Sequence, residues 1–225
     1  MIVVTGASRG LGRALCERLM GQGSAVFGIA RQVDGLPFPA LGCDVADYDA
    51  VRVVAQALRR QAQPVTALVN AAGIASMNLA LTTPAAVTRR LIEVNLLGTI
   101  HCCQLFGPLL VRQRRGAIIN FSTIAVALGL KGESVYAASK AGVEGFSRAF
   151  AREVSDFGVT VNCIAPGPIA TDLLKGVSPA QIDAIVARQV LPRQFGADAV
   201  CDLVELLLDP RSHSLSGQVL HVGGV

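Results

Sequence analysis

Short runs of consecutive apolar residues alternate along the chain with longer stretches in which apolar positions recur every three or four residues. The runs Ile2 to Thr5, Ala25 to Ala30, Ala40 to Cys43, Val65 to Val69, Ala117 to Phe121 and Val159 to Ile164 predict strands, with a last strand near 217–222. The periodic stretches predict helices over 11–22, 47–62, about 85–113, about 134–156 and near 198–208. The strand segments carry Val, Ile and Ala without polar alternation, so both of their faces are covered. Helices between the strands supply that cover. The pattern is that of an α/β fold: a doubly wound parallel sheet in three αβα layers with right-handed crossovers. No linker or repeat divides the chain, and one domain spanning 1–225 is expected. About ten residues separate the second strand from the third, and they include Gly35, Pro37 and Pro39. These disfavour a helix, so that crossover is predicted to be a loop.

Composition narrows the chemistry. Of 225 residues, 52% are hydrophobic and 16% charged, which excludes disorder and a polyelectrolyte tail. A chain of this length needs no disulfide or metal to fold. His101, His213 and His221 are the only histidines and form no H-E-x-x-H, so no metal site is expected. There is no G-x-S-x-G elbow. The net charge of +4 comes from dispersed basic residues, which argues against nucleic-acid binding. Six cysteines form no C-x-x-C and are expected as buried free thiols. Met1 leads straight into an apolar strand, no signal peptide is read, and no apolar run approaches the ~20 residues of a membrane span. A cytoplasmic protein with no membrane partner is expected.

Thr5-Gly6-Ala7-Ser8-Arg9-Gly10-Leu11-Gly12 joins the first strand to the first helix. Glycines let the backbone approach a phosphate, and a helix N-terminus favours the anion. In this strand-turn-helix context the cluster predicts dinucleotide binding by Gly6, Ser8, Arg9, Gly10, Leu11 and Gly12, in a Rossmann-type fold. A nucleotide 2′-hydroxyl calls for an acid at the end of the second strand. Here that end reads Ile29-Ala30-Arg31. Arg31, with Arg9 in the turn, suits a 2′-phosphate, so NADP(H) is the expected cofactor; Asp34 nearby keeps NAD open.

The spacing G-x-x-x-G-x-G resembles the short-chain dehydrogenase/reductase family, and further motifs follow in that family's order over nearly the whole chain. Asn70-Ala71-Ala72-Gly73 is similar to N-N-A-G, with Ala71 where many relatives carry a second Asn. Asn95 lies in the long helix, Tyr136-Ala137-Ala138-Ser139-Lys140 matches Y-x-x-x-K, and Pro166-Gly167 follows the sixth strand. The resemblance implies cofactor contacts at Asp44, Val45, Asn70, Ala71, Ala72, Gly73, Pro166, Gly167, Ile169 and Thr171. It also implies that Asn95 holds a water linking Lys140 to solvent; an amide satisfying a helix kink is the other reading.

Tyr136 and Lys140, four apart on one helix face, are two of only two tyrosines and three lysines. By resemblance, Lys140 binds the nicotinamide ribose and lowers the Tyr136 pKa, so that Tyr136 exchanges a proton with the substrate oxygen. The family's serine falls at Thr123, thirteen before the tyrosine, with Ser122 as its competitor. Adjacent strand residues face opposite ways, and the spacing favours Thr123. Tyr48 reads as a surface residue at a helix start.

Residues 172–195 are expected to form an apolar substrate lid, including Leu173, Leu174, Val177, Ile182, Ile185 and Val186. The tail 217–224 and the segment 165–172 resemble bacterial 3-oxoacyl-[acyl-carrier-protein] reductases. That implies a 3-oxoacyl substrate on acyl carrier protein, docked on Arg112, Arg114 and Arg115, which could equally cap their helix. Phe157 stands where the family has another docking cation. A free hydrophobic ketone or secondary alcohol is the alternative substrate, and a non-catalytic NADP-binding regulator the alternative role. The long helix and the catalytic helix carry apolar residues on more than one face, which predicts a homotetramer or homodimer.

Overall fold

The structure is a computed structural model that describes residues 1–170 and 177–225. Seven parallel strands form one sheet in the order β3-β2-β1-β4-β5-β6-β7. They are β1 (Ile2–Thr5), β2 (Val26–Ala30), β3 (Ala40–Gly42), β4 (Ala67–Asn70), β5 (Gly116–Phe121), β6 (Val159–Ala165) and β7 (Val219–His221). Neighbouring residues within a strand feed opposite layers. Val3, Leu68 and Ile118 join Val54, Leu58 and Phe106 on one face. Val4, Val69 and Ile119 join Leu15, Leu19 and Val204 on the other. The first face is covered by α2 (Tyr48–Arg59), α4 (Gly98–Gln113) and α6 (Ser134–Val154), the second by α1 (Gly10–Gly21) and α8 (Ala197–Leu208).

The crossover from β2 to β3 is a loop. Phe38 within it is buried, and its ring takes the space over Gly28, where an added Cβ would stand 2.8 Å from it. One aromatic side chain therefore covers the sheet where a helix would otherwise lie.

The long helix is interrupted. It consists of α3 (Ala85–Leu91), a π-helical stretch Ile92–Leu97, and α4. Together, Ala85–Gln113 is long and apolar enough to cross a membrane by length and composition. Half of its most apolar window is buried inside the protein, against α2, α6, β4 and β5. A core helix covered on several sides needs that composition. There are two further short helices: α5 (Ile124–Leu128) after β5, which the periodicity does not predict, and α7 (Pro179–Val186) in the long connection after β6, which Ser178 and Gln181 cap reciprocally.

Strand order reverses between β1 and β4, the neighbours on either side of the chain's first crossover direction. In such sheets the crevice beyond the carboxyl ends at that point receives the ligand. Thr5, Ile29, Asn70 and Asn120 stand in register there, at the last or next-to-last residue of their strands.

Candidate active site

A cleft of about 460 Å³ opens at those strand ends. Its floor begins with the turn after β1. Gly6 has φ +69°, and a Cβ there would lie 2.8 Å from the Ala72 backbone. At Gly12 a Cβ would lie 2.5 Å from the Gly6 carbonyl oxygen. Both positions therefore demand glycine, one for backbone angle and one for closeness. The Ala72 N–H donates to Thr5 Oγ1 at 3.0 Å and ties the turn after β4 to β1. The cradle leaves backbone N–H groups of the α1 start facing the cleft, which fits a pyrophosphate. Ser8, Arg9, Gly10 and Leu11 line it as well.

Arg31 follows β2 and Arg9 precedes α1; both are exposed and both line the cleft. Asp34 does not line it. Asp44 and Val45 form the wall beside them. The Asp44 carboxylate accepts from the Ala46 N–H at 3.0 Å and pairs with Arg90. Burial works to raise its pKa, but the Ala46 N–H and the Arg90 guanidinium prevail and hold it below the usual value. Arg90 is a cleft residue that the sequence pattern did not single out. Its partner is 46 positions away, so no local spacing signals the pair.

Ala71, Ala72 and Gly73 line the cleft. The Asn70 side chain does not. It is buried under the sheet, donating to Asn120 Oδ1 at 2.8 Å and to Cys103 Sγ at 3.4 Å. A strand-end residue that faces the α6 layer cannot face the ligand as well, so any cofactor contact from Asn70 is left to its backbone.

Asn95 sits in the π-helical stretch and is fully buried. Its amide clasps the backbone of Ile74: Oδ1 accepts from Ile74 N–H at 2.8 Å, and Nδ2 donates to Ile74 O at 2.9 Å. Nδ2 also donates to Ser139 Oγ at 3.0 Å. The side chain thus joins the long helix to α6 and to the turn after Gly73.

Tyr136, Lys140 and Thr123 come together at the centre of the cleft. Burial pushes the Tyr136 hydroxyl above its ordinary pKa, Glu133 pushes the same way, and a hydrogen bond with Thr123 opposes both. The resemblance implies that Lys140 lowers this value, but Lys140 is not among the groups that shift it here; its ammonium donates instead to the Phe121 carbonyl at 2.8 Å. Burial pushes Lys140 down to about 8. A Cβ on Gly73 would stand 3.4 Å from Lys140 Nζ and from Asn95 Oδ1, so glycine keeps the space above the lysine open.

Ser122 and Thr123 part at the end of β5. Ser122 is buried and donates to Glu144 Oε1 at 2.6 Å. Thr123 is half-buried and caps α5, with Oγ1 accepting from Ala125 N–H at 3.2 Å. Only the threonine hydroxyl is left to meet a ligand beside Tyr136. Glu144, which ties up the competitor, was not read from the sequence, although it lies one turn beyond Lys140 on the same helix.

Pro166, Gly167 and Ile169 line the cleft after β6, and the Ile124 N–H donates to Pro166 O at 3.1 Å. Thr171 lies outside the described residues, as do Leu173 and Leu174 of the lid. Val177 and Ile185 from the described part of the lid reach the cleft. Glu133 also lines it, and sequence reasoning missed it.

All six cysteines are buried and free. Burial raises Cys43 to about 11 and Cys103 to about 12, which keeps both as thiols. Among the described residues no cluster of His, Cys, Asp or Glu is placed to hold a metal ion.

A family model for short chain dehydrogenases matches residues 1–182. The chain is 34% identical over 231 aligned positions to the 3-oxoacyl-[acyl-carrier-protein] reductase FabG of Escherichia coli, covering 99% of this chain and 95% of the relative. It is 34% identical over 236 positions to the protein of the same name from Staphylococcus aureus, with 99% and 96% covered. The ligand-free aldohexose dehydrogenase of Thermoplasma acidophilum superposes with a TM-score of 0.90 at 28% identity, covering 99% of this chain and 92% of that one.

Proposed function

The chain belongs to the short-chain dehydrogenase family, and from that premise we propose that it is an NADPH-dependent ketoreductase that reduces a 3-oxoacyl thioester carried on acyl carrier protein. The family implies an oxidoreductase acting between carbonyl and alcohol with a nicotinamide cofactor. The observation that carries the reading is the meeting of Tyr136, Lys140 and Thr123 in one cleft beneath a glycine turn flanked by Arg9 and Arg31.

The residues fit that cofactor. The Gly6–Gly12 turn would hold the pyrophosphate, Arg9 and Arg31 the 2′-phosphate, and Asp44 and Val45 the adenine. Gly73, Lys140, Pro166, Gly167 and Ile169 line the cleft and would hold the nicotinamide end. When bound, the cofactor supplies the hydride. Tyr136 then donates its proton to the carbonyl oxygen, which its raised pKa keeps in place at neutral pH. Thr123 donates a second hydrogen bond to the same oxygen and fixes its position. Lys140 supplies a buried cation that stabilises the phenolate left behind. Asn95 holds the Ile74 turn, and through Ser139 it holds the face of α6 that carries the other two.

Thr123→Ser keeps the hydroxyl and is expected to keep kcat/KM within about twofold. Thr123→Val keeps the shape, removes the donor, and is expected to lower kcat/KM about tenfold, the worth of one neutral hydrogen bond. Steady-state assays of both variants decide it, and full activity in Thr123→Val removes Thr123 from the reaction.

The carrier-protein part of the reading leans on the FabG relatives. Arg112 and Arg115 are exposed and free to dock an acidic partner among the described residues. Arg114 is engaged elsewhere: it caps α4 with a left-handed backbone, donates to Asp156 O at 2.8 Å and lies 5.8 Å over the Phe157 ring. The exposed Phe157 favours the second reading, a free hydrophobic ketone. Loss of NADPH absorbance with acetoacetyl thioesters tests the activity. Comparing the free thioester with its carrier-protein form at low and high salt separates the two substrates. Absence of turnover with every carbonyl offered, alongside tight NADPH binding, leaves a cofactor-binding regulator instead.

Assembly through α4 and α6 is part of the same proposal. Phe146 and Phe150 stack at 5.3 Å on α6, half-buried, and Phe150 packs on Gly107 of α4. A dimeric or tetrameric mass in light scattering is the expected result; a monomer refutes it.

A further inference from the structure

Glu133 stands immediately before α6, three positions ahead of Tyr136, and lines the same cleft. It is 8% exposed. The apolar side chains of Ile124, Leu130, Val177 and Ile185 line the same cleft. Among the described residues its carboxylate has neither a hydrogen-bond donor nor a cation beside it. Burial alone moves its pKa, upward.

The other acids near the site are not left this way. Glu144 has Ser122 and Arg148, and Asp44 has Arg90 and the Ala46 N–H. A carboxylate on the cleft wall that a bound ligand cuts off from water needs a partner, because losing its hydration unpaired is costly. Nor does Glu133 serve the proton transfer, because its charge opposes the Tyr136 phenolate. It does not cap α6 through its side chain either. Among the described residues no partner is found, which leaves one that arrives with the ligand.

We propose that Glu133 is a specificity-determining residue that accepts a hydrogen bond from a neutral O–H or N–H donor on the substrate, close to the carbonyl that Tyr136 protonates. This rests on the ketoreductase reading and narrows it. The substrate is an apolar carbonyl compound bearing one donor. A cationic donor is disfavoured, since the buried Lys140 lines the same cleft. A purely hydrophobic ketone leaves the carboxylate dry and unpaired. The donor has two possible sources: the amide N–H of a thioester arm, or a hydroxyl on the ketone body.

Two matched pairs of probes test this. The first is acetoacetyl-N-acetylcysteamine against an acetoacetyl S-alkyl thioester of equal length without the amide. The second is a hydroxyalkyl methyl ketone against the alkyl ketone of equal size. Binding is measured by calorimetry without cofactor, and kcat/KM with NADPH and NADH. In one pair the donor-bearing member is expected to be favoured about tenfold or more, as for a hydrogen bond to a charged group. Glu133→Leu should collapse that ratio to near one, and Glu133→Gln, which keeps a carbonyl acceptor, should keep part of it. The pair that shows the ratio names the source.

A ratio unchanged in Glu133→Leu overturns the proposal, as does an equal fall for both members of each pair. Reduction of the probes without any such ratio sinks Glu133 and leaves the ketoreductase standing. A Glu133-dependent ratio in binding, with no reduction of any probe, does the opposite. Neither binding nor reduction overturns both.

Discussion

Tyr136→Phe is expected to lower kcat/KM for carbonyl reduction by about a thousandfold, the range of a positioned general acid, while melting temperature and cofactor affinity hold. The substitution removes one oxygen from a ring that is 8% exposed and leaves its packing in place. That oxygen carries the proton proposed to pass to the carbonyl. The Ser122 hydroxyl, which also lines the cleft, is committed to Glu144 and cannot replace it. Thr123 remains as a donor, so residual turnover should persist at the level that orientation alone sustains. Full activity in Tyr136→Phe would remove the proposed chemistry altogether.

The same arrangement predicts the pH profile. Burial and Glu133 raise the Tyr136 pKa, so the hydroxyl keeps its proton well past neutrality and does not set the first alkaline limb. Lys140 moves the other way, down to about 8, because burial disfavours its charge. Below about pH 8 the ammonium is present to balance the phenolate; above it the cation is lost. In the reduction direction kcat/KM should therefore fall as pH rises through about 8, or somewhat higher once the anionic cofactor is bound. Glu133→Gln should shift any later limb, that of Tyr136, to lower pH.

Most of the architecture was legible because strands buried on both faces leave a simple trace. Val3-Val4 and Ile118-Ile119 read as continuous apolar runs, and each pair splits between the two layers. The loop in the β2–β3 crossover was legible from Gly35, Pro37 and Pro39, but the role of Phe38 was not. Its burial depends on Gly28 being empty, which is a contact across the sheet. Local periodicity could not show the π-helical stretch at Ile92–Leu97. That distortion comes with the clasp between Asn95 and the Ile74 backbone, 21 positions away. Motif order placed Tyr136, Lys140 and Thr123 near one another. It said nothing of Arg90, Glu133 or Glu144, whose importance lies in which charges have partners. Nor did it say that the Asn70 side chain turns into the body, where it meets Asn120 and Cys103. Charge pairing is a property of the folded neighbourhood, and the spacing of residues along one element carries little of it.

Arg31→Ser is expected to lower kcat/KM with NADPH about 10–100-fold and to leave that with NADH within about twofold. The estimate is the worth of hydrogen bonds to a charged group, converted at tenfold per 1.4 kcal/mol. The argument is local. β2 ends at Ala30, which is buried and carries no acid, and Arg31 is the first side chain beyond it. Asp34, the one acid in the following loop, does not line the cleft and so cannot take a ribose hydroxyl there. The Arg31 charge also favours the ionised form of Asp44, and both residues line the cleft. Both Arg9 and Arg31 are exposed, so each alone is screened by water and salt. Two cations acting on one dianion would offset that weakness, and Arg9→Ala combined with Arg31→Ser should exceed either single loss. Raising ionic strength should weaken NADPH binding and spare NADH. Arg31→Asp goes further: it supplies the missing acid and repels the 2′-phosphate, so the preference should invert toward NADH. Equal losses with both cofactors would mean that Arg31 supports the fold of the loop rather than reading the phosphate, and NADP(H) would lose its main support.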